Sequence, residues 1–496
     1  MKFVTENLAR VVAIFAAALF AGMYVFTALP RIFYPYDLDF IEDSMLLQAW
    51  QFARGLPVFA PPNADFSAHA YMPLYTWLGG LLLRITGPSF APLRLFSFAA
   101  VLVTAALIFY IARRESKTRW LGFVCAGLYL AGFRITGQWY ELVRVDSLFV
   151  ALSLAGMTVA IYGDGRAGRM MLSALLLTLA FWTKQTALLY GVGIAFFLTL
   201  QFGKRVAWFV VPYALCVTLP FWIYNSVTGG WFWFHVVTVL GGDPIEHARI
   251  LHFFARELGG VMAGLSLLAL AIFILTVRRT RNPFAWLRAH PWLFGIAMGV
   301  VVSAIGRASV GGNLNNLMSA YTLLCLAPAL ALQESAHIRP TRFLTPRRIE
   351  LAIVILLLLQ FALAVYNPLR YIPSQAMQNA GDALIRRIAA SEGNVLVMMH
   401  PYYALRAGKE PSAQVLTLWY ANVRGGAPMP DDFNARIRAR YYALIISDES
   451  EFETTPNVRE LLDANYQLTE TLTPADAPPT MTGVVTRPIA IYRPKP

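Results

Sequence analysis

The chain is poor in charged residues and has very few cysteines. Of its 496 residues, 14% are charged and 57% are hydrophobic, whereas soluble domains carry about 25% charged residues. This deficit argues against an ordinary soluble protein and predicts a mainly α, polytopic membrane protein. The three cysteines, Cys125, Cys216 and Cys325, lie in apolar runs. Their placement argues against a disulfide framework or a cysteine-based metal cluster.

The surplus of basic residues is confined to one part of the chain. Residues 370–496 contain 13 basic and 13 acidic residues, so the whole net charge of +13 lies in residues 1–369. A surplus confined to the apolar part indicates membrane topology rather than a nucleic-acid surface. The lack of an apparent internal repeat weighs against transporters built from inverted repeats.

Apolar segments predict eleven transmembrane helices. They lie at about 8–29, 91–112, 119–133, 145–162, 170–183, 186–201, 206–224, 257–277, 292–306, 316–332 and 350–367. The basic connectors, such as RRESKTR and HIRPTRFLTPRR, all fall on the side of the N-terminus, which the positive-inside rule places in the cytoplasm. The first outer loop (residues 30–90) and the tail (residues 370–496) then lie outside.

Residues 71–86, YMPLYTWLGGLLLRIT, leave two alternatives open. They are apolar enough for a twelfth span, but a twelfth span would move every later basic connector outside. The charge rule therefore favours a helix that lies in the membrane interface, where its aromatic residues and Arg84 fit.

The tail has the pattern of a soluble α/β domain. GNVLVMMHPYYAL, RYYALIISDE and RPIAIYRP are strand-like, and GDALIRRIAA and PNVRELLDAN are amphipathic helices.

An acidic cluster opens the first outer loop, in YDLDFIEDSMLLQAWQFARG (residues 36–55). Glu42 and Asp43 fall in the first turn of a predicted helix, where carboxylates stabilise the helix dipole. This explains one or two of the acids, but Asp37 and Asp39 lie before the helix. Asp39 or Glu42 could serve as a general base, or Asp39, Glu42 and Asp43 could hold a divalent cation such as Mg²⁺ or Mn²⁺.

Other charged residues lie near the predicted membrane boundary. Asp146 follows Arg144 at the start of the fourth span, where a charge is costly unless it is functional or paired. Lys184 lies between spans five and six, where it either binds an anionic head group or extends to the interface. Arg249 suits a phosphate contact or a bilayer anchor. The nearby histidines at 235, 247 and 252 do not match a zinc motif.

Four pieces of sequence, taken in order, resemble the C-type membrane-embedded glycosyltransferases. They are DFIEDSMLLQAWQFARGLPVFAPP, YMPLYTWLGGLLLRITGPSFAPLRLFSF, RVDSL and AFWTKQTAL, within about residues 1–260. The pattern is most similar to the group of protein O-mannosyltransferases and lipid A aminoarabinose transferases. This resemblance, taken with the pattern of the tail, predicts a transmembrane glycosyltransferase domain over 1–369 and an outer-face (periplasmic) soluble α/β domain over 370–496.

The resemblance also implies roles for individual residues. Glu42 or Asp39 would be the catalytic acid of the first outer loop, Asp146 the acid of the second, and Lys184 a contact for the donor phosphate. Many relatives carry a lysine where this chain has Met72, so His69 or Arg249 could take over that phosphate contact. Arg144 is a further candidate for binding the donor phosphate.

The expected function is transfer of a sugar from a polyprenyl-phosphate donor to a glycan, lipid or protein acceptor, with inversion, at the outer face of a bacterial inner membrane. A flippase for lipid-linked sugars would place charges within the spans, where the sequence has almost none. A non-catalytic scaffold would not explain acids beside the membrane in two separate loops.

Overall fold

The computed structural model describes residues 2–280, 282–337, 345–454 and 458–496. Each of the eleven predicted apolar segments contains a helix. The helices before the tail are α1 (Lys2–Phe33), α2 (Glu42–Ala53), α3 (Leu74–Thr86), α4 (Phe90–Ser116), α5 (Arg119–Ala131), α6 (Asp146–Ile161), α7 (Ala167–Thr183), α8 (Leu188–Phe202), α9 (Ala207–Val227), α10 (Trp231–Trp233), α11 (His247–His252), α12 (Ala263–Arg279), α13 (Pro283–Ala289), α14 (Pro291–Ala308), α15 (Met318–Leu324), α16 (Ala327–Ser335) and α17 (Pro346–Ala364). Wider π-type turns extend α10 over Phe234–Val239 and α11 over Phe253–Val261.

Within the described residues, six helical runs are long and apolar enough to cross a membrane. They are Leu8–Phe33, Phe90–Ser116, Gln185–Val227, Pro291–Ala308, Leu314–Ser335 and Arg347–Arg370. A seventh span results if His247–Val261 and Ala263–Arg279, which meet at 99°, are counted together. The first, second, fourth, fifth and sixth of these runs each cover one predicted span, whereas the predicted spans 186–201 and 206–224 share one run of 43 residues.

Three of the predicted spans correspond to helices that are shorter than a typical membrane span. The helices α5, α6 and α7 have 13, 16 and 17 residues, and a helix needs about 20 residues to cross the hydrocarbon core. A helical membrane fold is therefore confirmed, while the count of eleven spans stays a prediction. Of the predicted basic connectors, residues 281 and 338–344 lie outside the described part of the chain.

The first loop contains two helices packed against each other. A Cβ atom at Gly80 of α3 would lie 2.6 Å from the carbonyl oxygen of Ala49 in α2, so this close crossing requires glycine. The 13 residues of α3 measure about 20 Å along the axis, less than the hydrocarbon thickness of about 30 Å. The length fits the interfacial alternative for residues 71–86.

The tail builds a small mixed sheet with helices around it. The strands are β1 (Asn394–Val397), β2 (Tyr442–Ser447), β3 (Tyr466–Thr471) and β4 (Ala490–Pro494), and the helices are α18 (Gln375–Ala390), α19 (Pro401–Arg406), α20 (Val415–Trp419), α21 (Asp431–Arg438) and α22 (Val458–Asn465). The sheet order is β1-β2-β4-β3, in which β1 and β2 are parallel and the other pairs antiparallel.

Two details of the predicted tail were wrong. PYYALR at 401–406 is helix rather than strand, because Pro401 occupies the first helical position, where its fixed φ favours a helix start. The strand β3 was missed. The start of the predicted helix PNVRELLDAN, residues 456–457, lies outside the described residues.

The tail shares its apolar core with the loops. Tyr36, Leu38 and Trp139 pack with tail residues such as Val395 and Ile491 in one buried cluster. A second cluster joins α2 and α4 to Met399, Tyr402 and Leu416. The tail is thus packed directly over the acidic stretch of the first loop.

Candidate active site

A cavity of about 330 Å³ lies where the first loop, the second loop (residues 132–148) and the tail meet. Its volume is in the range of ligand-binding cavities. The polar wall is formed by His69, Tyr71, Arg144, Lys184 and Gln185, together with the amides Asn313, Asn315 and Asn316. The lining also includes Leu240, Asp243, Ile245, Ile305 and Tyr420.

A row of alternating charges lies along the polar wall. Arg144 Nη1 lies 3.0 Å from Asp39 Oδ2, and Arg144 Nε lies 3.7 Å from Asp146 Oδ2. Lys184 Nζ in turn lies 2.7 Å from Asp146 Oδ1. The structure therefore brings together four residues that the sequence singled out, from three parts of the polypeptide: the first loop, the second loop and the turn after α7.

The two cations of this row of charges face the cavity, and the two carboxylates lie behind them. Arg144 and Lys184 line the cavity, whereas Asp39 and Asp146 are outside the lining and fully buried. Arg144 also donates to the Tyr71 hydroxyl, and Lys184 to the Asn316 amide oxygen. The buried carboxylates and these two neutral partners thus hold the guanidinium and ammonium groups in place. This geometry is suited to an anionic ligand.

Asp39 is a buried carboxylate with unused hydrogen-bonding capacity. Its Oδ1 makes no hydrogen bond of normal geometry among the described residues, although the Trp139 side chain and the Ile41 amide lie near enough to the carboxylate to lower its pKa. Burial raises the pKa of Asp39 to about 7, against the lowering effect of the Arg144 cation. A carboxylate with such a pKa accepts a proton efficiently near neutral pH.

Glu42 is the opposite case, because every acceptor site that it presents is occupied. Arg94 binds it at 2.9 Å and 2.6 Å, and the backbone amides of Leu38 and Val143 donate to it at 2.7 Å and 2.8 Å. Both side chains of this ion pair are fully buried, and neither lines the cavity. Because Asp39 also lies outside the cavity lining, it is the free Oδ1 of Asp39 that favours Asp39 over Glu42 as the base.

The other two acids of the cluster bind the tail. Both carboxylate oxygens of Asp43 accept from the backbone amide of Tyr402, at 3.0 Å and 3.1 Å. Asp37 lies 2.7 Å from His400 Nδ1, whose Nε2 lies 2.9 Å from Asp448. Asp43 lies in the first turn of α2, and its carboxylate also binds the first loop to the tail.

His69 is placed as a neutral hydrogen-bond donor toward the cavity. Burial lowers the pKa of His69 to about 3, so the ring is uncharged near neutral pH. Its Nδ1 accepts from the Ala70 amide at 2.9 Å, which leaves the proton on Nε2. Among the described residues, Nε2 has no partner, so it can donate to a ligand.

Two expectations from the sequence find less support. Arg249 lies outside the cavity lining and binds Glu246 and the Gly312 carbonyl oxygen, which places it near the rim. Asp39, Glu42 and Asp43 each bind a different partner, and no three potential ligands from His, Cys, Asp and Glu come together in the part of the chain that the structure describes. The residues do not fit the Mg²⁺ or Mn²⁺ site considered above.

Several site residues were missed in the sequence. Asn315 donates to Asp146 Oδ1 at 3.1 Å and Asn316 accepts from Lys184. The motif GGNLNN, a polar run between two apolar segments, was the available signal. Arg94 and His400 gave no such signal, because their partners are far away in the sequence.

Comparison with known proteins agrees with this architecture. The sequence profile of the family described as dolichyl-phosphate-mannose-protein mannosyltransferase matches residues 68–224. This range includes His69, Arg144, Asp146 and Lys184. No curated protein sequence gives a significant match over this chain.

Solved structures match over nearly the full length. ArnT from Cupriavidus metallidurans bound to undecaprenyl phosphate has a TM-score of 0.57 at 13% identity, covering 96% of this chain and 97% of that chain. Its apo form gives 0.58 at 14% identity, with the same coverage. An Archaeoglobus fulgidus oligosaccharyltransferase tethered with an acceptor peptide gives 0.52 at 11%, covering 95% and 74%. The predicted resemblance to C-type glycosyltransferases is therefore confirmed for the fold.

Proposed function

We propose that the chain is a glycosyltransferase that moves a hexosyl or pentosyl group from a polyprenyl-phosphate donor to a lipid, glycan or protein acceptor. The observation that carries the proposal is the cavity wall on which Arg144 and Lys184 face inward while Asp39 and Asp146 hold them from behind. The mannosyltransferase family match and the fold shared with an undecaprenyl-phosphate-bound protein support it.

The donor phosphate lies against Lys184, Arg144 and His69. When the bond between the sugar C1 and the phosphate oxygen breaks, the phosphate keeps the electron pair and gains charge. Prepositioned cations stabilise that developing charge, and therefore lower the free energy of the transition state more than that of the ground state. This is the main electrostatic task for this leaving group. Asp146 acts as a positioning residue, since it holds Lys184 and Asn315.

Asp39 removes the acceptor proton. The acceptor oxygen forms the new bond to C1 from the face opposite the phosphate, and its proton passes to Asp39 Oδ1. A single displacement of this kind inverts the anomeric centre. Glu42 does not serve as the base, because its oxygens are already bound by Arg94 and two backbone amides.

The polyprenyl chain leaves the cavity through its apolar side. Leu240, Ile245 and Ile305 line the cavity and are also 42%, 67% and 51% exposed. Exposed apolar side chains beside a cationic pocket suit a ligand with a charged head and a hydrocarbon tail. We infer from the positive-inside rule that the N-terminus is cytoplasmic and that the cavity and the tail lie outside, and we propose that the membrane is a bacterial inner membrane.

Transfer by the reconstituted protein tests this function. Vesicles would receive labelled undecaprenyl-phosphate hexose or pentose and a membrane extract that supplies acceptors. Lys184→Met should lower kcat by at least about a hundredfold, the scale for a lost electrostatic contact in a transition state. The exposed Lys204 supplies the control, and Lys204→Met should transfer normally. Equal activity of Lys184→Met and Lys204→Met would contradict the proposal.

A further inference from the structure

The free oxygen of Asp39 is covered by one loop of the tail. The loop, residues 480–486, is closed by two hydrogen bonds between Thr480 and Thr486 of 2.9 Å and 2.8 Å. A Cβ atom placed on Gly483 would lie 2.9 Å from Asp39 Oδ1 and 2.8 Å from Trp139 Cζ2. The atom through which Asp39 would act thus faces residue 483.

The 480–486 loop is fixed to the residues around Asp39. The amides of Met481 and Thr482 both donate to the Leu38 carbonyl oxygen, at 3.0 Å and 2.9 Å. Thr482 pairs with Asp39 in a short parallel bridge, and its hydroxyl accepts from Arg31 at 3.2 Å. Contacts on both sides of residue 483 therefore set how close the loop comes to the carboxylate.

Position 483 requires glycine for two reasons. Its φ of +72° lies in the left-handed region that favours glycine. Any side chain there would also overlap the Asp39 carboxylate or the Trp139 ring, at distances shorter than normal van der Waals contact. Either the loop or the carboxylate would have to move.

We propose that the 480–486 loop, none of whose residues lines the cavity, forms a wall behind Asp39 and that Gly483 is a positioning residue for Asp39. The inference rests on the proposed role of Asp39 as the base. By keeping a bare backbone against Oδ1, the loop fixes the orientation of the carboxylate and limits its contact with water. The tail is then a component of the reaction centre rather than a separate acceptor-binding domain.

Thiol labelling tests the wall without relying on activity. An Asp39→Cys, Cys216→Ser background leaves Cys125 and Cys325, which are buried, and maleimide modification of residue 39 is followed by mass spectrometry. Adding Gly483→Ala should speed labelling at least about tenfold. This corresponds to a loss of about 1.4 kcal/mol from the free energy that keeps residue 39 covered by the loop. Equal rates with and without Gly483→Ala would overturn the proposal.

The control for backbone strain is Gly408→Ala. Gly408 has a φ of +76°, and nothing lies within 4 Å of a Cβ atom placed there, so this substitution strains the tail equally without touching Asp39. It should leave the labelling rate unchanged. If Gly483→Ala does not fold, Thr482→Val removes the bond from Arg31 without adding bulk at 483, and the same acceleration is expected.

The pH profile of transfer separates positioning from packing. With Asp39 intact, Gly483→Ala should lower kcat and move the acidic limb of kcat/KM to lower pH, because the carboxylate then meets water. Gly408→Ala should change neither. Fast labelling with an unmoved acidic limb would reject the positioning role. Absence of transfer by the unmodified protein would count against the proposed function, while the labelling result would still decide whether the wall exists.

Discussion

At the scale of single residues, Asp39 and Glu42 show how surroundings assign different roles to neighbouring carboxylates. Both are fully buried. Glu42 meets a bidentate arginine and two backbone amides, whereas Asp39 has one guanidinium contact and one free oxygen. A base needs a lone pair that no other group already occupies, and of the two acids only Asp39 keeps one.

Substitution of the two acids should therefore affect different quantities. Asp39→Asn should lower kcat by about 10²–10⁴-fold, the usual contribution of general base catalysis, with little change in the binding of undecaprenyl phosphate. Glu42→Gln should lower the thermal midpoint in detergent, while the protein that remains folded keeps most of its kcat. Full transfer by Asp39→Asn would contradict its role as base.

The pH dependence of transfer follows from the same residue. Because burial raises the pKa of Asp39 to about 7, the carboxyl is protonated and unable to accept a proton below that pH. kcat/KM should therefore rise as the pH increases through about 7 and then level off. The initial rates of the unmodified protein between pH 5 and 9 measure this, with Lys204→Met as a control that should show the same limb.

The sequence predicted the site only where charges stood out against an apolar background. Asp146 and Lys184 were identifiable because a charge at the end of an apolar helix requires a reason, and they bind each other. The choice between Asp39 and Glu42 was not predictable from the sequence. Arg94, whose guanidinium binds the Glu42 carboxylate, lies 52 residues away and has the sequence context of an ordinary interface arginine. Long-range partners of this kind follow from tertiary packing alone.

At the scale of elements, the buried Glu42–Arg94 pair joins α2 to α4. Arg94 also donates to the carbonyl oxygens of Arg31, Tyr34 and Tyr36, so it fixes the chain between the first helix and the acidic stretch. Arg94→Met should destabilise the protein by about 3–5 kcal/mol, because it leaves a buried carboxylate without its counter-ion. Thermal unfolding in detergent measures the change.

A matched surface pair serves as the control for this prediction. Arg436 and Asp65 also join the tail to the first loop, but their side chains are 26% and 65% exposed, and such pairs contribute about 0–1 kcal/mol. Arg436→Met should therefore be nearly neutral. The double variant Glu42→Gln, Arg94→Met should recover part of the lost stability, since no charge is left buried. Equal losses for Arg94→Met and Arg436→Met would contradict the argument.

The elements themselves were predictable in proportion to their length and pattern. Long apolar helices such as α1 and α4 follow directly from hydropathy. The strand β3, YQLTET, was missed because it is mostly exposed, with only Tyr466 fully buried, so its alternation of apolar and polar residues is weak. The bend of 99° before α12 was also not predicted from the sequence.

At the scale of the whole molecule, His400 joins the tail to the first loop through two carboxylates. Its imidazole lies between Asp37 of the loop and Asp448 of the tail, all three buried, and stacks on Tyr403 at 5.1 Å. Despite burial, which disfavours the charged ring, the two carboxylates raise the pKa of His400 well above its usual value. The imidazolium thus balances two buried negative charges at the junction that sets the position of Asp39.

This junction should make the stability of the assembly depend on pH in a defined direction. The pKa of His400 is higher in the folded state than the unfolded value of about 6.5, so its stabilising contribution is complete below that pH. The contribution is lost progressively as the pH rises toward the folded-state pKa. The difference in thermal midpoint between the unmodified protein and His400→Gln should therefore be largest near pH 6 and shrink toward pH 9. His247, which is exposed, gives the control His247→Gln, for which no difference is expected at any pH. A gap for His400→Gln that stays constant over this range would show that packing, rather than the charge on His400, holds the tail against the loop.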